Sequence, residues 1–256
     1  MPVLIITERD DIHGHALIWA LDWIGVRCDR WSLSEFPEEQ RTSVRISNSS
    51  LPPSFRIYGL SETYYSIWVR RLATPAVISP SLATADIPMA LIPARRSCEG
   101  VRSIFSPQSA WINPLDARQK ANSKPHQLLA ARKAGFAIPE TLFSNDPEEI
   151  RRFYREHGAD VVCKFFAPAF WQKRADGTLS GSFTARLTEE LLENDTAFTS
   201  CPAIYQNYVQ KRSGVRITFF GSSYHAVRIW SQQSSMGAVD FRSDMRLESR
   251  RLSRAR

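Results

Sequence analysis

The stretch Pro202–Trp230, PAIYQNYVQKRSGVRITFFGSSYHAVRIW, reads as three strands in close succession. Ile204–Val209, Val215–Phe220 and Tyr224–Trp230 are rich in β-branched and aromatic residues, and Gly221-Ser222-Ser223 is a tight turn between the last two. Alternation sets Val215, Ile217 and Phe219 on one face and Arg216 with Thr218 on the other. Arg228 alternates in the same way on the next strand. Both arginines can line a cleft and pair with phosphate or carboxylate, or they can lie on the wet face of a half-exposed sheet. Some forty residues upstream, VVCKFF at Val161–Phe166 is a further strand, apolar except for Lys164. A charge inside such a strand is costly to bury unless an anion meets it, and phosphate is the common one. An edge-strand lysine reaching water is the alternative.

Around these strands lie helices with clear ends. Ser123 can cap a helix with Pro125 in its first turn, running through Leu128, Leu129 and Ala131 to Gly135. Lys124 stands at its start, against the helix dipole, a position that suits a lysine reaching for phosphate but is also common for an exposed one. Asp146 caps the next helix, with Pro147 at its first position and Glu148 and Glu149 in its first turn. Ile150, Phe153, Tyr154 and His157 form its apolar face and Gly158 ends it. Asp176-Gly177 marks a hairpin within Trp171–Gly181, and Thr188 caps a short helix over Glu189–Leu192.

Toward the N-terminus, Val3–Ile6 and Val26–Trp31 read as strands on either side of a helix carrying Leu17, Ala20, Leu21 and Ile24, with Gly25 as its cap. Strand, helix, strand with short connections opens a parallel α/β layer. The first loop has no glycine fingerprint, which argues against a dinucleotide there. Ser47–Ser54 reads as a turn-rich break, and Phe55–Tyr58 and Ser66–Val69 as strands. Between Thr74 and Trp111 the proline spacing predicts no long regular element, only a short helix from Pro80 to Ala85. WINP, Trp111–Pro114, marks a boundary. The resulting division is an N-terminal α/β domain over 1–113, a second domain over 114–242, and an arginine-rich tail over 243–256 that reads as solvated and disordered.

The 256 residues suffice for two domains, and 43% hydrophobic content with 23% charged residues fits globular cores. A net charge of +7 favours anionic partners without choosing among them. Cys28, Cys98, Cys163 and Cys201 show no metal or redox spacing. His13 and His15 are too few for a metal site. Arg70 and Arg71 end a strand at a cleft edge or in solvent. No G-x-S-x-G, Walker lysine motif or catalytic acid pair is present. Neither a signal peptide nor a membrane span is visible, so the chain reads as cytoplasmic.

Taken in order, KPHQLLAARKAGFAIPETLFSNDPEEIRRF (124–153), VVCKFF (161–166) and the stretch quoted first resemble the ATP-grasp ligases. The nearest subgroup is the microviridin-type (graspetide) maturases of ribosomal peptides, which IWVRR (67–71), WINP (111–114) and DFR (240–242) also resemble. The resemblance implies an α/β and α+β chain, with a Rossmann-like pre-ATP-grasp domain followed by an ATP-grasp domain. It implies that Lys124 and Lys164 hold ATP phosphates. Gln206 to Val209 would run along the adenine, with backbone groups of Tyr208 and Val209 on the base edge and Lys211 close by. Arg216 and Arg242 would be the catalytic arginines, Arg242 facing the acceptor. Asn207 replaces an acid common in the family. The family uses magnesium, held by an acid on one late strand and a Glu-x-Asn pair on the next. Glu248 is the only late glutamate here, so no metal ligand is assigned and the ATP-grasp domain reads as incomplete. The partner implied is a precursor peptide with a leader segment, which Phe170, Trp171 and Lys173 in the Phe165–Arg186 hairpin are suited to hold. A homodimer is allowed, nucleic acid rests only on net charge and the tail, and no membrane is implied. The implied reaction is lactone or lactam formation through an acyl phosphate, impaired if the chain is incomplete. The alternative is a catalytically inactive protein that binds nucleotide or leader peptide.

Overall fold

The computed structural model covers the whole chain and describes every residue except 73–78, 80, 106, 168–169, 173–178, 236, 245–248 and 253–256. For 50–52, 170–172, 179–180 and 249–252 it describes the backbone alone. Two compact units divide it, Met1–Ser123 and Lys124–Arg256.

The first unit contains, in chain order, β1 (Val3–Ile6), α1 (Ile12–Trp23), β2 (Cys28–Trp31), β3 (Thr42–Ser47), β4 (Ser50–Ile57), β5 (Ser66–Val69), α2 (Ile87–Ile104), β6 (Ala110–Ile112) and α3 (Leu115–Asn122). Its main sheet has the order β2-β1-β5-β6, all parallel, so the chain steps outward in opposite directions from β1. Leu4, Ile5, Ile6 and Ile67 are fully buried, as strands covered on both faces require. Trp31, Tyr64 and Phe105 fill the core, where Ala94, Cys98 and Val101 of α2 join them.

Helix α2 corrects the expectation that the prolines preclude a long element between Thr74 and Trp111. Pro88 lies in the first turn, where its missing N–H has no helical partner to lose. Pro93 interrupts the helix at one place, and the burial of Ala94, Cys98 and Val101 on the core offsets that local loss. Ser47–Ser54, read as a break, instead carries a hairpin: β3 pairs antiparallel with β4, whose two prolines are tolerated in a two-stranded ribbon with no central strand.

The second unit contains α4 (Lys124–Lys133), β7 (Thr141–Ser144), α5 (Pro147–Glu156), β8 (Val161–Lys164), β9 (Phe170–Gln172), β10 (Leu179–Gly181), β11 (Ala185–Arg186), α6 (Glu189–Leu192), α7 (Asp195–Ser200), β12 (Ala203–Asn207), β13 (Gly214–Phe220), β14 (Ser223–Ile229) and β15 (Ser249–Leu252). The Asp146 carboxylate accepts from the Glu148 N–H at 2.9 Å, and Thr188 caps α6 through the Leu191 N–H. Gly135 and Gly158 take positive φ after α4 and α5, the left-handed geometry that ends a helix cheaply only at glycine.

A four-stranded sheet, β11-β8-β12-β7, has one face on a core of Ile150, Tyr154, Val161, Phe198 and Tyr205. A second sheet, β13-β14-β15, lies in the same unit. Here β15 corrects the expectation of a disordered tail, because Ser249–Leu252 pairs antiparallel with Ala226–Ile229. Backbone pairing does not require an apolar pattern, and the tail's arginines hid the strand. On β13 the predicted alternation places Val215, Ile217 and Phe219 together, yet all three are at least half exposed among the described residues.

Candidate functional site

The second face of the β11-β8-β12-β7 sheet is the floor of a cleft. Period-two alternation turns Val161, Ala203 and Tyr205 into the core and leaves Lys164, Ile204, Gln206 and Phe143 on the opposite side. Helix α4 forms a wall with Lys124, Gln127, Leu128 and Ala131, a set at i, i+3, i+4 and i+7. Ser182 and Thr184 close another side, and Asp240 with Arg242 a third. The cavity between them measures about 630 Å³, within the range of small-molecule and cofactor sites.

Its electrostatics are cationic. Lys164 Nζ donates to Gln206 Oε1, and the Gln206 amide in turn donates to Thr141 Oγ1 at 2.7 Å, so the ammonium is held over the floor. Burial, then Lys124 and Arg242, push the Lys164 pKa below the ordinary lysine value. Lys124 Nζ reaches Gln127 Oε1 at 3.2 Å. Asp240, 6% exposed, is the lone carboxylate among the described lining residues and is fully engaged. It accepts from the Thr184 N–H at 2.9 Å and from the Arg242 backbone and guanidinium at 2.5–3.1 Å. Burial would raise its pKa, but these bonds outweigh it and hold the carboxylate well below its usual range.

The structure thus brings Lys124, Lys164, Gln206 and Arg242 into one cavity. Tyr208, Val209 and Lys211 follow β12 but do not line it. The Tyr208 N–H donates to the Asp160 carbonyl at 2.8 Å, which leaves its own carbonyl as the group it can offer a base. The Arg186 guanidinium lies 3.9 Å from the Tyr208 ring centroid, and Lys211 Nζ donates to the Val239 carbonyl at 3.1 Å. Arg216 is exposed on β13 and does not line the cavity. For Phe170 and Trp171 only the backbone of β9 is described, paired with β10, and Lys173 lies outside the described residues.

The sequence reading missed Asp240 as a site residue. Its partner Thr184 is 56 positions away, a contact no local pattern reveals. Phe165, Phe166 and Thr184 also line the cleft without having been assigned to a nucleotide site.

Solved structures similar in fold to nearly the whole chain include three peptide ligases. A Chryseobacterium gregarium RiPP-associated ATP-grasp ligase, solved with ADP and a leader and core peptide, is 27% identical at a TM-score of 0.79. The match covers 95% of this chain and 74% of that one. The macrocyclase MdnC of Microcystis aeruginosa MRC, bound with precursor peptide MdnA, is also 27% identical at 0.79, covering 91% of this chain and 76% of that one. The chain carries the ATP-grasp fold of the ribosomal-peptide ligases. The ATP-grasp ligase PsnB, solved with minimal precursor, magnesium and ADP, shares the fold at 22% identity and a TM-score of 0.70 over 99% of this chain and 76% of its own. No family model matches the chain, and no curated protein does.

Within this ATP-grasp fold the metal can be tested against the donors present. Among the described residues no three His, Cys, Asp or Glu side chains come together as a metal site. Asp240 already faces Arg242 and Thr184. The described cleft residues therefore do not form a magnesium site. No described helix is long and apolar enough to cross a membrane.

Proposed function

We propose that the chain binds the phosphates of ATP between Lys124 and Lys164 and acts as an ATP-dependent peptide ligase of a ribosomal peptide maturation pathway. The convergence of two ammonium groups and the Arg242 guanidinium on one cavity, whose described lining has a single, neutralised carboxylate, carries this reading. Such a site is built for several negative charges at once. The ligases of similar structure were solved with ADP and precursor peptides, which supports a nucleotide and a leader-bearing peptide as the ligands here.

In the proposed reaction a peptide carboxylate attacks the γ-phosphate and ADP leaves, giving an acyl phosphate. A hydroxyl or amine of the same peptide then attacks the acyl carbon and expels phosphate, closing a lactone or lactam. Lys124 and Lys164 neutralise the phosphate oxygens, Gln206 keeps the Lys164 ammonium oriented, and Arg242 faces the acceptor. The exposed position of Arg216 gives no support for its direct role in this cavity.

A second reading, nucleotide and leader-peptide binding without turnover, draws on the described residues, among which no three His, Cys, Asp or Glu side chains come together as a metal site. Phosphate release from ATP by the purified chain with magnesium separates the two. Sustained release that disappears in Lys164→Met supports the ligase reading. ADP binding with no release supports the binding reading. Release unchanged in Lys164→Met contradicts the assignment of the cleft.

A further inference from the structure

A separate cavity, wholly within the first unit, lies between α2 and α3 and measures about 530 Å³. Its described lining contains Arg96, Arg102 and Arg118 but one acid, Glu99, together with the amides of Gln119 and Asn122. Three guanidinium groups against one carboxylate leave an excess of two positive charges.

Each arginine stands differently. Arg96 pairs with Glu99 at 2.9 Å, so the one acid is already engaged, and its side chain is 79% exposed at the rim. Arg118 donates from Nη1 to the Val69 carbonyl at 2.9 Å, which fixes the guanidinium at the carboxyl end of β5. The Nε of Arg102 is buried, and among the described residues it has no hydrogen-bond partner. Burial is the main influence on Arg102 and lowers its pKa, although a guanidinium stays charged near neutrality. Arg102 lies in the last turn of α2, where one cation complements the helix dipole. That role accounts for one charge, not for three arginines facing one hollow.

Arg118, Gln119 and Asn122 come from α3, at i, i+1 and i+4, while Arg96 and Arg102 come from α2, with Glu99 midway between them. Leu72 and Leu115 give the hollow two apolar side chains beside the guanidinium groups. Guanidinium forks from two helices match a ligand with two oxyanion groups better than a single small ion.

We infer that the cavity between α2 and α3 binds a small polyanion, a compound bearing two or more phosphate or carboxylate groups, through Arg96, Arg102 and Arg118. This site is independent of the nucleotide cleft and of the ligase reading.

Calorimetric titration of the full chain with pyrophosphate, and separately with citrate, tests it at constant ionic strength in chloride. Three variants accompany the wild type: Arg102→Met, Arg96→Ala and Lys164→Met. The inference expects one anion bound more tightly than about 1 mM by the wild type and by Lys164→Met. Each arginine variant should weaken it about tenfold, as loss of a charge-assisted hydrogen bond does. Arg96 is exposed and its truncation spares the core, so it decides the matter if Arg102→Met does not fold. Preference for pyrophosphate or for citrate assigns phosphate or carboxylate chemistry, and either supports the site. Affinity unchanged in both arginine variants, binding lost only in Lys164→Met, or no binding of either anion below about 1 mM overturns it.

Discussion

Two residues of the cleft show how charge is balanced there. Asp240 is nearly buried and receives four hydrogen bonds from Thr184 and Arg242. Replacing it with Asn removes the charge while leaving the shape, so Arg242 loses its ion pair and one of the two acceptor oxygens shared by Thr184 and Arg242 becomes a donor. Asp240→Asn should lower stability by about 2 kcal/mol, read from denaturant unfolding. Because its folded pKa is depressed, the stability Asp240 contributes is present above the ordinary carboxylate pKa. It is lost as pH falls through the depressed value, so the difference between wild type and Asp240→Asn should shrink at strongly acid pH. Lys164 has the opposite sign. Its pKa lies below the ordinary lysine range, and only the charged form attracts phosphate. ADP affinity should therefore fall as pH rises through the alkaline range, earlier than an ordinary lysine would cause. Titrations across that range should show the early fall in wild type and only a later one in Lys164→Met, which keeps Lys124. An equal pH dependence in both would remove Lys164 from the account.

Among the elements, α1 depends on one close approach. A Cβ at Gly14 would lie 2.7 Å from Cγ2 of Thr7, a buried side chain whose hydroxyl donates to Asp11 at 2.7 Å. Gly14→Ala should therefore cost about 1–3 kcal/mol, measured by thermal unfolding, as overpacking does. Elements of this kind differ in how plainly the sequence declares them. Helix α5 was legible because Asp146, Pro147, the first-turn acids and the spacing of Ile150 and Tyr154 all agree. Lys164 was legible because a charge interrupts an apolar strand. Helix α2 was not, because its prolines are local signals and the burial of Ala94, Cys98 and Val101 is a tertiary one. Strand β15 was hidden by arginines, since pairing with β14 is made by backbone groups. Arg216 was assigned from alternation and from the family resemblance, and alternation orders faces within a strand but does not say where the strand lies. Asp240 was assigned no role, because its importance arises only when Thr184 is folded against it.

At the scale of the whole chain, each unit has its own hydrophobic core and its own cationic cavity, consistent with a net charge of +7 that is organised rather than spread evenly. The central claim is that the second unit holds nucleotide phosphates between Lys124 and Lys164. Calorimetry of ADP binding, with and without magnesium, on the wild-type chain and on Lys164→Met tests it most directly. The account predicts one site in the wild type and at least about a tenfold loss in the variant, the effect of removing a charge-assisted phosphate contact. Equal affinity in the two proteins, or no ADP binding by the wild type under either condition, would contradict it.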